Sequence, residues 1–258
     1  MRSISLYINK NTFLNRIEPF NKMLYILMVI IVPLCIGKLW AYSIFILISL
    51  ILLLLGKSLK RTMPLIAFSF TILITIFIIH GLFNKGNTNV LFTIGNLKFY
   101  QEGVFYALKI SLNILNMLLA FAIFVLTTKP EELVEDMERM GFSPRFGYII
   151  SSVFQIIPQM MGTMSTIMDA QRSRGLETEG SFIIRAKAFI PLIAPVVMNS
   201  LSNTRERAIA LEVRGFDSKE AKTFLYDKKN SKSDKILRTL MISIILSSII
   251  WRVYLWLL

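Results

Sequence analysis

The 258 residues are 54% apolar with a mean hydropathy of +0.60 and only 17% charge, which excludes an ordinary soluble domain and indicates an integral membrane protein. One cysteine, Cys35, and one histidine, His80, exclude an internal disulfide and a His/Cys zinc cluster, and disfavour Cys–His acyl transfer. The net charge of +13 sits beside long apolar runs with no nucleic-acid motif, so anionic lipid headgroups and acidic protein surfaces are the expected counterparts, not nucleic acid.

Residues 1–22 are polar and lack the short apolar core and small-residue cleavage site of a signal peptide, so the N-terminus is expected to stay at the membrane. Pro19 suits a helix entry and Lys22 the interface of a first, short span at 23–36. Further spans are predicted at 40–55, with Trp40 and Tyr42 as interfacial anchors, at 63–83, and at 103–127, which carries Lys109, Asn113 and Asn116. Lys109 is close enough to its helix start to snorkel, and His80 reads as an interfacial or packed residue. Between the third and fourth spans, 84–101 reads as a loop with a short extended segment at 90–100.

The chain then changes character. Lys129-Pro130-Glu131-Glu132 opens a helix at 133–140 that ends near Gly141. A long helix at 145–174 has a broad apolar side and a bend at Pro158, and 178–180 turns the chain. A second long helix at 182–213 repeats the design with kinks at Pro191 and Pro195, followed by a polar linker at 217–234 and a last span at 236–258 with Trp251 and Trp256 near its end. The predicted fold is an all-α membrane protein with about five transmembrane helices and a domain of amphipathic helices. Its parts are 1–127 with four spans, 128–235 as the helical insert, and 236–258. Twenty-four of the 29 basic residues fall in the alternate segments 1–22, 56–62 and 128–238, which puts the N-terminus and the insert in the cytoplasm.

Each long insert helix ends on nearly the same phrase. Ala170-Gln-Arg-Ser-Arg174-Gly175-Leu176-Glu177 is echoed by Ala210-Leu-Glu-Val-Arg214-Gly215-Phe216-Asp217, and these are the only two Arg-Gly pairs in the sequence. Glycine just past a helix end turns the chain at no steric cost. A cation in the last turn complements the helix dipole for about 0.3–1 kcal/mol, but lysine would serve that purpose as well. The repetition therefore points to two matched contact points, each offering a guanidinium fork to a partner's carboxylates.

Paired Arg-Gly phrases about forty residues apart, in a helical insert before a final span, resemble the paired Ala-Arg-Gly signatures of the transmembrane T component of energy-coupling factor (ECF) transporters. Here they read Ser173-Arg174-Gly175 and Val213-Arg214-Gly215. Asn15-Arg16-Ile17-Glu18-Pro19, followed by Lys22, is similar to that family's entry segment. Thr127-Thr128, followed by Pro130-Glu131-Glu132-Leu133, and Ile157-Pro158 are similar to the approach to its coupling region. The resemblance implies a non-catalytic subunit of the bacterial cell membrane, without a cofactor or metal of its own, for uptake of a vitamin or other micronutrient. It implies two ABC-type ATPases as partners, which bind the ATP, and a membrane substrate-binding S component. Ala170, Arg174, Gly175, Ala210, Arg214 and Gly215 would meet the ATPases. Ile156, Ile157, Met160, Met161, Met164, Ile190, Ile193 and Val197 would form the S-component platform.

A different reading is an intramembrane enzyme, a protease or lipid-modifying protein, working through Glu131-Glu132 or Glu135-Asp136 with His80 as the sole histidine. A free-standing carrier would want broken or polar spans, and only the fourth is polar.

Overall fold

The computed structural model describes residues 12–83, 89–94, 97–176, 181–218, 220, 223–224 and 232–257. Its elements are α1 (Phe13–Arg16), α2 (Pro19–Ile36), α3 (Leu39–Leu55), α4 (Leu59–Phe83), β1 (Val90–Ile94), β2 (Leu97–Tyr100), α5 (Gln101–Thr127), α6 (Pro130–Arg139), α7 (Pro144–Ser173), α8 (Phe182–Val213) and α9 (Lys232–Leu257). The expected turn at 178–180 and most of the linker at 217–234 lie outside the described residues, as does Glu177.

The protein is an all-α membrane protein. Four helices, α2, α4, α5 and α9, are long and apolar enough to cross a bilayer. The expected span at 40–55 is α3, whose 17 residues stand at the lower end of the spanning range. The spans α2, α4 and α9 begin a turn earlier than their apolar runs, and in α2 and α9 polar residues of that first turn have partners in the fold. Pro19 takes the first helical position of α2, where its missing N–H costs nothing, and α2 thereby takes in Asn21 and Lys22, both buried. Likewise α9 takes in Asp234 and Lys235 ahead of Ile236. The extended segment is a two-stranded antiparallel hairpin, with Val90 opposite Tyr100 and Ile94 opposite Leu97.

The chain divides into two units. One comprises Ser5–Asp136 and Lys228–Leu258, and the other includes Met137–Asp227. In the first, α2 packs on α9, α3 and α5, and α4 packs on α5. Val29, Val32, Phe45, Ala120 and Met241 form one apolar cluster, and Leu14, Leu53, Leu119 and Ile123 form another. The opposite faces are apolar and exposed, as at Leu47, Phe68 and Ile250, which is the inverted surface a helix shows to lipid. Lys109 is half-buried on α5, with its Nζ 3.7 Å from where a Cβ on Gly37 would stand. Its charge therefore sits at the C-terminal end of α2, where it complements the dipole.

On the same helix Asn116 is fully buried, and neither amide atom has a hydrogen-bond partner among the described residues. A buried, unpaired amide costs about 1–3 kcal/mol, whereas an apolar group of similar shape costs nothing comparable. Asn116→Leu is therefore expected to raise the midpoint of thermal unfolding of the purified protein in detergent; a lower midpoint would contradict this reading.

Candidate functional site

The second unit is built on α7 and α8. The helical path of each runs unbroken through its prolines, Pro158 in α7 and Pro191 and Pro195 in α8. Both helices end as the repeated phrase demands. Gly175 and Gly215 adopt the left-handed conformation, with φ of +89° and +69°. Leu176 N donates to Gln171 O at 3.0 Å and Gly175 N to Arg172 O at 2.9 Å. At the second tip Phe216 N donates to Leu211 O at 3.0 Å and Gly215 N to Glu212 O at 2.9 Å. Each tip thus satisfies two terminal carbonyls by the same paired bonds.

The end of α6 carries that pattern too, through Phe142 N to Met137 O at 3.2 Å and Gly141 N to Glu138 O at 3.0 Å, and there the residue before the glycine is Met140. The cap needs its glycine and accepts a methionine before it. Capping therefore does not account for an arginine at both Arg174 and Arg214, which are exposed.

Glycine and arginine make separable contributions. Gly175→Ala and Gly215→Ala would force a Cβ into the left-handed region and are each expected to cost about 1 kcal/mol of stability, read from unfolding of the purified protein. Arg174→Ala or Arg214→Ala removes only a dipole-complementing cation, a loss of about 0.3–1 kcal/mol at most.

The two helices lie antiparallel. Arg145 at the start of α7 forms an ion pair with Asp217, and Tyr148 packs on Phe216 with ring centroids 5.2 Å apart. Further along α7, Gln159 accepts a hydrogen bond from Arg207, and Thr163 Oγ1 accepts one from Asn199 Nδ2 at 3.5 Å. The register places the second tip beside the first turn of α7, whereas Arg174 lies at its other end. About seven turns separate those levels, on the order of 35–40 Å at 1.5 Å per residue. The tips thus point from opposite ends of one helix pair.

Of the other predicted residues, Ala170 and Ala210 are exposed one turn before their arginines. Ile156 and Met164 are half-buried, while Ile157, Met160, Met161, Ile190, Ile193 and Val197 are exposed. Sequence periodicity missed the neighbouring Leu192 and Val196, which are buried four residues apart on α8. It also missed the polar pairs between α7 and α8, because pairing across a helix interface depends on register and not on local pattern. Gly147 was missed as well: a Cβ there would stand 1.7 Å from Glu138 Oε1, so this glycine leaves the room that the Glu138 side chain occupies.

The acidic pairs and the histidine do not form a constellation. His80 packs edge-on against Tyr106, ring centroids 5.2 Å apart, near the start of α5. Glu131 and Glu132 follow its far end, and Glu132 pairs with Lys129 at 3.3 Å. Some 30 Å of helix separates those levels, beyond the reach of a shared substrate or metal.

Residues 10–224 match the family model of the cobalt transport protein CbiQ. The energy-coupling factor transporter transmembrane protein EcfT of Brevibacillus brevis is 31% identical over 269 aligned residues, covering 97% of this chain and 98% of its own. The protein of that name from Staphylococcus aureus is 29% identical with 93% of each chain covered, and that from Lactococcus lactis 26% with 95% and 96% covered. Agreement of fold, helix tips and near full-length similarity has one meaning: the chain belongs to the family of transmembrane T components of ECF transporters.

Proposed function

We propose that this chain is the coupling subunit of an ECF-type importer, passing the ATP-driven closure of two ABC-type ATPases to a membrane S component that binds a vitamin or other micronutrient. The observation that carries this reading is the pair of matched caps, each presenting an exposed arginine and set at opposite ends of one antiparallel helix pair. Two separate ATPase subunits can each seat one tip. A bidentate Arg–carboxylate contact resists shear, so closure of the ATPases drags both tips and reshapes the helices between them.

The exposed apolar residues Ile157, Met161, Ile190 and Val197 supply the platform for the S component. ATP binds to the ATPases, and this chain performs no chemistry of its own. The excess of basic residues in the alternate segments supports a cytoplasmic position for the N-terminus and the tips.

Co-purification of the tagged chain from its native membrane tests the proposal. Two nucleotide-binding subunits and a small membrane protein are expected with it, and the ligand of that small protein identifies the cargo. Recovery of the chain alone under conditions that preserve membrane complexes would refute the proposal.

A further inference from the structure

The segment from Glu18 to Lys22 does more than start a membrane helix. Its side chains are buried, Glu18 6%, Asn21 2% and Lys22 4% exposed, and they reach two other helices. Lys22 Nζ donates to the backbone carbonyl of Thr127 at 2.8 Å. That oxygen belongs to the last residue of α5, and a cation there satisfies a terminal carbonyl and complements the helix dipole. On the other side Arg238 of α9 donates to Glu18 Oε2 at 2.6 Å and to Asn21 Oδ1 at 3.3 Å, with its guanidinium 5.1 Å from the Phe20 ring centroid. Asn21 Nδ2 in turn donates to Asp234 Oδ1 at 3.1 Å and to Asp234 O at 3.3 Å.

These contacts meet at two particular points of the chain. Thr127 is where the chain leaves the membrane helices for α6, α7 and α8, and Asp234 and Arg238 lie in the first two turns of the helix by which it returns. One turn of α2 therefore holds both roots of the insert. Thr128 has extended backbone, φ −115° and ψ 127°, so helical continuity ends there, and the Lys22–Thr127 contact fixes the last helical residue before the break.

We propose that the first turn of α2 is the fulcrum of coupling: Glu18, Asn21 and Lys22 are positioning residues that hold the exit and the return of the insert in one frame. Force applied at the tips then tilts membrane helices and is not absorbed by the two roots sliding apart. The inference rests on the coupling reading above. A root freed from this turn lets the ATPases cycle while the membrane helices stay behind.

The test uses the complete transporter, ATPases and S component included, reconstituted in liposomes with ATP hydrolysis and uptake measured on one preparation. Glu18→Gln and Lys22→Met are expected to retain the ATPases and their hydrolysis while lowering uptake per ATP by about 5- to 150-fold, the range of typical coupling between sites. Lys22→Arg, which keeps a cationic donor, and the exchange Glu18→Arg with Arg238→Glu are expected to recover much of the uptake. Unchanged uptake in both single variants would overturn the proposal, as would hydrolysis and assembly falling in parallel with uptake, which would mean that the turn only stabilises the fold. A wild-type assembly that hydrolyses ATP without importing anything would instead refute the coupling reading.

Discussion

Alanine at both Arg174 and Arg214 is expected to release the ATPases from the complex and abolish ATP-driven uptake, with the chain still folded. Among the described residues neither arginine side chain has a hydrogen bond or ion pair, and each is exposed before a glycine that caps its helix through backbone bonds. Removing one arm of a desolvated Arg–carboxylate contact costs about 2–5 kcal/mol of binding, because the partner's carboxylate is left stranded. That corresponds to a 30-fold to several-thousand-fold weaker contact, about tenfold for every 1.4 kcal/mol.

On the proposed coupling, a single substitution is expected to leave the other tip seated, so that assembly survives better than transport. Pull-down and uptake together separate these outcomes. Retained ATPases and full uptake in the double variant would refute the contact reading. Loss of the fold in that variant, against intact Gly175→Ala and Gly215→Ala proteins, would make the arginines structural.

The second large effect is expected at Leu119→Ala. Leu119 is fully buried on α5 among Leu14, Leu53 and Ile123, where the bundle's packing is closed. In water-soluble cores this truncation costs about 2–5 kcal/mol, part of it for transfer from water and part for the cavity left behind. Lipid tails are as apolar as leucine, so the transfer part falls away and the lost packing contacts remain. An expected loss of about 2 kcal/mol follows from the lower end of that range, read from thermal unfolding in detergent.

The comparison with Asn116→Leu sharpens this test. The two positions are one turn apart and equally buried, yet one substitution opens a cavity and the other removes an unpaired amide, so their effects should have opposite signs. A Leu119→Ala midpoint equal to wild type would show that the neighbours collapse into the space.

What was legible in the sequence was whatever is coded within one or two turns. Apolar runs place the helices at 23–36, 63–83 and 103–127 because a span must satisfy its backbone internally and show lipid an apolar side. Arg-Gly marks both tips because a left-handed residue at a helix end selects glycine, and α8 was foreseen at its observed bounds, Phe182–Val213. The hairpin of β1 and β2 was legible only as extended chain, since strand pairing requires a partner whose register the local pattern does not carry. The early starts of α2 and α9 were hidden for a related reason. Lys22 and Asp234 look like interface and linker residues until Thr127 and Asn21 supply their partners.

The sequence by itself determined the class of molecule, its helices and the chemistry of its two tips, all local consequences of hydrophobicity, glycine geometry and fixed charge. Only the tertiary structure decided that the tips stand at opposite ends of one antiparallel pair and that α2 grips both roots of the insert. Such contacts join residues from 36 to 220 positions apart, and long-range pairing of that kind is chosen by packing and by the cost of leaving a buried polar group unpaired.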